Sequence, residues 1–422
     1  MFAALFDTIF NRTPGPDAFA RRFLDALRAQ GWQEEMVHQP DQFRLVGASG
    51  FVVYLHNAYH AYLKASRRHR AHVLQHYVSG FVAEREESRR EKPFEELRPT
   101  LMPLLRNRGM LEELRLEHVL SHGVEVPFGS AWRDVAEDCV ELLALDLPET
   151  TSTLVAGPPA AWGLTLDESL LIARGNLRDA TTDQFVEVAP GVFRGAWQDA
   201  YDSSRALLPD VLHRVPVAGQ PVFMMPTRDC LLVVGDRDAG AMSVMLELSL
   251  EAAEAGRCIS SLAFAYEDRR IVPFTLPTRE HRQRQADLRR MLDAPAYHRQ
   301  KELLDRIHQA RDEDIFVAAF LVHADPDEGG CEISLGTWTD GVDTLLPVTD
   351  RIALVSPREE GGADVKIVEW QQAAAVCAEL MERQPTLYPP RYRVRAFPDD
   401  AQLRQLTPVG WKLTQTAADN AA

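Results

Sequence analysis

Pairs of short apolar runs joined by turn residues constrain this chain more than any other feature. Residues 185–188 and 192–197 flank Pro190-Gly191, and residues 222–225 and 231–235 flank Pro226-Thr227-Arg228-Asp229. Proline presets a turn dihedral, and glycine or aspartate tolerates the conformations that follow, so each pair reads as a hairpin. A third pair spans 261–266 and 270–274. Strands and helices do not alternate one for one, which disfavours a doubly wound parallel sheet. The expected fold class is α+β, with largely antiparallel sheets, flanking helices and two or three domains.

Helical periodicity fills the intervals. Phe19, Phe23, Leu24 and Leu27 mark a helix over 16–31, and strands follow at 35–38, 42–46 and 51–54. Leu55, Tyr59, Tyr62, Val73, Tyr77 and Phe81 predict one long helix over 55–84, followed by a solvent-exposed, charge-dense connection at 84–96. Strands are expected at 142–147 and 151–155. Thr165 and Glu168 form a capping-box pair that should open a helix over 164–178. Further helices are predicted near 202–208, 242–255 and 279–311, with Pro295 ending or kinking the last. A second α+β unit follows, with strands at 315–322, 332–338, 352–356, 366–370 and 392–397 and a helix at 371–383. The expected division is 1–95, 96–276, a solvated helical linker at 277–311, 312–413, and a disordered tail at 414–422. Phe2, Leu5, Phe6, Ile9 and Phe10 share one helical face, which packs on the protein's own core or docks a partner or, less readily without Lys or Arg on its other face, a membrane surface.

The chain has 422 residues, with 46 Lys and Arg against 62 Asp and Glu, a net charge of −16. Nucleic-acid binding draws on clustered basic residues, so this balance argues against it. The basic segment 279–311 interleaves acids such as Asp287, Asp293 and Asp305, as a solvated helix would. Cys139, Cys230, Cys258, Cys331 and Cys377 are odd in number and form no C-x-x-C pair, which fits reduced thiols. Residues 1–10 lack a basic leader, and no run approaches the ~20 apolar residues of a membrane span. A cytoplasmic location is expected.

The strongest local constellation is Tyr201-Asp202-Ser203-Ser204-Arg205, after a strand and opening a helix. Asp202 is expected as the helix N-cap. An anion could be bound there by Arg205, joined by Arg228, Asp229 and Asn176, or Arg228 and Asp229 could simply pair with each other. Asp202, Ser203 and Ser204 are the candidate catalytic groups, although nucleophilic use of a serine needs an adjacent base, and His213 lies beyond the first turn. His56, His60, His69, His72 and His76 include two i,i+4 pairs, but neighbouring Arg67, Arg68 and Arg70 disfavour a cation, and no metal is expected. Asp325-x-Asp327-Glu328-Gly329 starts like a calcium loop without completing one, and reads as an acidic turn. Phosphate-binding, dinucleotide, nucleophile-elbow and kinase motifs are absent, and no cofactor is expected.

Four stretches together resemble the YtpQ-like family of bacterial proteins: Ala173-Arg-Gly-Asn176-Leu177-Arg178; Asp199-Ala-Tyr201-Asp202-Ser-Ser204-Arg205; Val222-x-x-x-Pro226-x-Arg-Asp229-x-Leu-Leu-Val; and Ile259-Ser-Ser-Leu262-x-Phe-x-Tyr266. The resemblance covers about residues 16–276. It implies a cytoplasmic α+β protein with no established reaction, substrate or cofactor. The chain departs from the pattern at Ala200, where the family has glycine, so a tight turn there should differ. The functional expectation is a non-catalytic module for another protein or a small anionic ligand: an adaptor, chaperone-like or toxin-neutralising protein. The alternative is a hydrolase or transferase acting on an anionic substrate through Asp202 and Arg205.

Overall fold

The computed structural model describes residues 14–40, 43–47, 52–87, 93–147, 151–325, 331–359 and 361–409. The apolar face at 1–10, the acidic turn at 327–329 and the tail from 414 lie outside the described residues. The fold is α+β, with mostly antiparallel sheets and helices on their faces. Two compact units are present: residues up to 102 with Ala144–Leu154, and Pro103–Leu143 with the chain from Val155 onward. The boundaries expected at 276 and 311 therefore fall inside the second unit.

In the first unit, α1 (Pro16–Ala29) begins with a proline, where the missing N–H costs no helical bond. It turns Phe19, Phe23 and Leu27 inward. Strands β1 (Met36–Gln39), β2 (Arg44–Gly47) and β3 (Val52–Tyr54) pair antiparallel in that order. The single long helix expected next is two, α2 (His56–Lys64) and α3 (Arg70–Glu87). Ala65 is extended, and the Ser66 carbonyl accepts the N–H groups of His69 and Arg70 to start the second. Aromatic packing joins the pieces, with Phe19 5.0 Å from Tyr59 and 5.1 Å from Tyr62. Helix α3 also takes in 84–87, where an exposed connection was expected. The histidine pairs lie on α2 and α3, and among the described residues no three His, Cys, Asp or Glu side chains converge as a metal site would require. A single turn, α4 (Phe94–Leu97), follows.

Strand β4 (Leu101–Asn107) and helix α5 (Arg108–His122) were not anticipated. With β5 (Arg133–Asp134) and β6 (Cys139–Asp146) the strand forms a sheet in the order β4-β6-β5, and β7 (Thr151–Thr153) pairs with the 144–146 end of β6. Helix α6 (Leu166–Asp179) has both halves of the capping box: Glu168 N–H donates to Thr165 Oγ1, and Thr165 N–H donates to Glu168 Oε2. All three predicted strand pairs form, within a sheet of β8 (Phe185–Ala189), β9 (Val192–Gly195), β10 (Pro221–Thr227), β11 (Cys230–Gly235), β12 (Ala263–Glu267) and β13 (Arg270–Pro273), ordered 13-12-10-11-9-8. One turn, α7 (Pro209–Leu212), precedes β10. Helix α8 (Ala239–Glu254) covers the sheet, setting Met242, Met245 and Leu246 against Val222, Met224, Leu232 and Val234.

Helix α9 (Arg279–Ala310) does not end at Pro295, one of the two outcomes expected there, and it is no solvated linker. Leu288, Leu292, Tyr297, Leu303 and Leu304 are buried, and the helix packs against α5 and α8. Ion pairs Arg289–Asp293, Arg299–Glu302 and Lys301–Asp305, at three- and four-residue spacing, support the turns on either side of the proline. Arg299 also holds Glu113 and Glu117 of α5. The interleaved acids read as solvation in the sequence are mostly these partners.

The remaining strands are β14 (Phe316–Val317), β15 (Leu321–Asp325), β16 (Cys331–Thr339), β17 (Thr344–Pro347), β18 (Arg351–Pro357), β19 (Ala363–Glu369), β20 (Glu382–Arg383) and β21 (Arg391–Val394). They form two sheets, 14-17-21-20 and 15-16-18-19, in which β14–β17 and β16–β18 are parallel. Helix α10 (Trp370–Val376) is shorter than predicted, and α11 (Asp400–Gln405) closes the described chain. At the start of β21, the fully buried Arg391 donates to Gln300 Oε1 at 2.6 Å and to the carbonyls of Ala318 and Leu345 at 2.8 and 3.0 Å. No helix among the described residues is long and apolar enough to cross a membrane.

Candidate functional site

Three segments of the second unit meet at the Tyr201–Arg205 stretch. The end of β4 is joined to it by Leu105 N–H donating to Ser204 Oγ at 3.2 Å. The β10–β11 turn is joined by Ser203 N–H donating to the Arg228 carbonyl at 3.3 Å. Residues 257–259 run beside that turn: Arg228 N–H donates to the Arg257 carbonyl, and Ile259 N–H to the Pro226 carbonyl. Asn107 ties the first and third segments by donating from Nδ2 to the Ile259 carbonyl at 2.8 Å.

The loop entering the stretch makes a left-handed turn without glycine. Gln198 has φ 56° and Ala200 φ 68°. Ala200 thus adopts a backbone that glycine favours, at a cost of about 1 kcal/mol. Ala200→Gly is expected to stabilise the protein by about that amount, read from urea midpoints; a loss of stability would contradict the left-handed assignment.

Asp202 is not the side-chain cap that the sequence predicted. Its own backbone is helical, at φ −50° and ψ −54°, and its carboxyl makes no capping bond to the 3-10 turn Ser203–Leu207. Capping requires an extended backbone that aims the side chain at the free N–H groups. Asp202 instead accepts Gln198 N–H at 3.3 Å, leaving Oδ2 buried with no hydrogen-bond partner among the described residues. Burial is the main reason its carboxyl titrates above the usual range. Ser203 is fully buried, and its Oγ likewise has no partner. His213 donates to or accepts from neither serine; its Nδ1 lies 2.6 Å from the Pro209 carbonyl oxygen.

Arg205 is committed within the fold. Its guanidinium meets Asp199 through two bonds of 2.8 and 2.6 Å, donates from Nε to Thr181 Oγ1 at 3.0 Å, and lies over the Trp197 ring at 4.3 Å. Burial pushes the Asp199 carboxyl up, but Arg205 and the Tyr201 N–H outweigh it and hold the acid below its usual range. Thr181 lies just beyond α6, which carries the half-buried Asn176. Arg205 and Arg228 are therefore directed to different partners.

Arg228 belongs to a different group, one that sequence reasoning missed. Arg106, at the end of β4, is 8% exposed and donates from Nη1 to the Leu105 carbonyl at 2.8 Å. Arg228 donates to Met110 Sδ at 3.9 Å. Asp229 does not pair with Arg228, as expected from the turn; its ion pair is with Arg257 Nη1, at 3.2 Å. The Nε of Arg257 is buried without a partner among the described residues. Burial first, then repulsion from Arg228 and Arg257, carries Arg106 well below the usual arginine range. Arg228 is brought down to about 10 by burial and by Arg257. The three guanidiniums have Asp229 as their one carboxylate partner among the described residues. The one local signal for Arg106 was a charge at the end of the apolar run Leu101-Met-Pro-Leu-Leu.

Comparison with protein-family models, curated proteins and solved structures found no match.

Proposed function

We propose that this chain is a non-catalytic binding protein whose ligand places a carboxylate among Arg106, Arg228 and Arg257. The observation that carries this reading is Arg106, a buried cation with two cationic neighbours and no ion-pair partner of its own among the described residues. An uncompensated buried charge costs several kcal/mol, and planar guanidiniums match a carboxylate through paired bonds. The carboxylate belongs to a small organic acid or to an acidic group on a partner protein, in keeping with an adaptor-like role. The buried free thiols and the YtpQ-like resemblance support a bacterial cytoplasmic setting.

Thermal melts with citrate, against chloride at matched ionic strength, test this. Citrate is expected to raise the melting temperature of the wild type. Arg106→Met should remove that response, and should itself stabilise the ligand-free protein by about 1–2 kcal/mol, because the buried charge is gone. A citrate response that survives the substitution rejects the site.

The hydrolase or transferase reading draws on Asp202 Oδ2 and Ser203 Oγ, two buried atoms of consecutive residues without hydrogen-bond partners among the described residues. It loses Arg205 as the anion ligand, since that side chain is held by Asp199 and Thr181. Turnover of nitrophenyl esters abolished by Ser203→Ala would favour this reading over binding alone.

A further inference from the structure

A cleft of the same unit, about 480 Å³ in volume, lies beside the far end of the Ser203–Leu207 turn, and its chemistry is independent of the arginine group above. Its lining includes Arg133, Arg174, Arg269 and Arg270, with Leu207 and Tyr266. Two of these guanidiniums are fixed from behind. Glu141, fully buried, takes both Nε and Nη2 of Arg174 and lies 3.7 Å from Arg133 Nη1. The other two stand at the β12–β13 hairpin turn and have no ion pair among the described residues. Of the acids at the cleft, Asp167 is paired with Arg133, and Asp134 accepts the neutral Trp132 indole N–H at 3.0 Å.

We infer that this cleft binds an organic phosphate monoester. Two unpaired guanidiniums match a group carrying about two negative charges near neutral pH, and arginine meets phosphate oxygens through forked bonds. The cleft is larger than a phosphate group needs. Tyr266, whose hydroxyl is held at 2.6 Å by the Ala206 carbonyl, and Leu207 and Ile271 supply apolar surface for the organic portion. That surface separates a phosphate ester from free phosphate. In a chain of net charge −16, long-range attraction is not what would draw an anion here, so recognition of the phosphate rests on Arg269 and Arg270.

Titration calorimetry of the full chain with phenyl phosphate and with inorganic phosphate, at fixed ionic strength, tests the inference. Phenyl phosphate is expected to bind at least about tenfold more tightly than phosphate. The double variant Arg269→Gly, Arg270→Ser should weaken phenyl phosphate by about tenfold or more. Its fold should persist, because both positions are exposed and Arg269 already sits at φ 64°, where glycine is favoured. Arg106→Met should leave phenyl phosphate binding unchanged, which keeps this site distinct from the carboxylate site. The inference is overturned by an absence of phenyl phosphate binding, by equal affinity for the two probes, or by binding indifferent to the double variant.

Discussion

Arg391→Ala is expected to destabilise the protein by about 4 kcal/mol, the largest loss foreseen for any polar residue here. The guanidinium is fully buried and answered by oxygen dipoles: Gln300 Oε1, the Ala318 and Leu345 carbonyls, and the Tyr297 carbonyl at 3.4 Å. It also lies over the Tyr297 ring at 5.2 Å. Burial brings its pKa down to about 10, so the charge is itself costly. Truncation relieves that cost, but it strands several buried acceptors at ~1–3 kcal/mol each and opens a cavity. Arg391→Met, which fills the space, should lose about half as much. Urea midpoints give both values, and a loss under ~1 kcal/mol for the alanine variant would remove Arg391 as the anchor of α9.

Asp138→Asn should stabilise the protein at pH 8 by up to about 3 kcal/mol and change little near pH 4. Burial is the main cause that lifts Asp138 to about 6, aided by Asp293 and opposed by the Ser261 N–H, the Ser260 hydroxyl and Arg289. Asp293 is itself lifted to about 6, chiefly by burial. A carboxyl whose pKa is raised on folding contributes stability that is fully present below the unfolded value of about 4. That contribution is lost as pH rises through about 6. The asparagine stays neutral throughout, and its amide oxygen still accepts from Ser260 and Ser261. The gap between variant and wild type must therefore widen from pH 4 to pH 8. A gap independent of pH would mean that Asp138 is not a buried ionisable group.

Local chemistry made much of the fold legible. The Thr165–Glu168 box opens α6 where the sequence placed it, and both turn-marked hairpins pair as read. Errors arose where periodicity continued across a break or where tertiary packing overrode a local signal. The spacing from Leu55 to Phe81 runs on through Ala65, whose extended backbone divides α2 from α3. Pro295 signals a stop, yet α9 is held on both sides by packing and ion pairs. Strand β4 was hidden because its first five residues are an unbroken apolar run without alternating polarity, and Pro103 sits within it. The site was half legible. Arg228 and Asp229 were visible as turn residues, but Arg106 comes from more than a hundred residues away and Arg257 from 28, brought in by pairings between segments such as Asn107 with Ile259.

The anchoring of α9 by the start of β21 also sets an order of events during synthesis. The partners that satisfy Tyr297, Gln300 and the turn around them, Pro389, Pro390 and Arg391, lie 89 to 94 residues downstream. At ribosomal speeds of ~5–20 residues per second, that face of the helix waits roughly 5–20 s for its cover. The longest helix of the protein is thus made early and buried late, and on the nascent chain it is the natural segment for a general chaperone to hold.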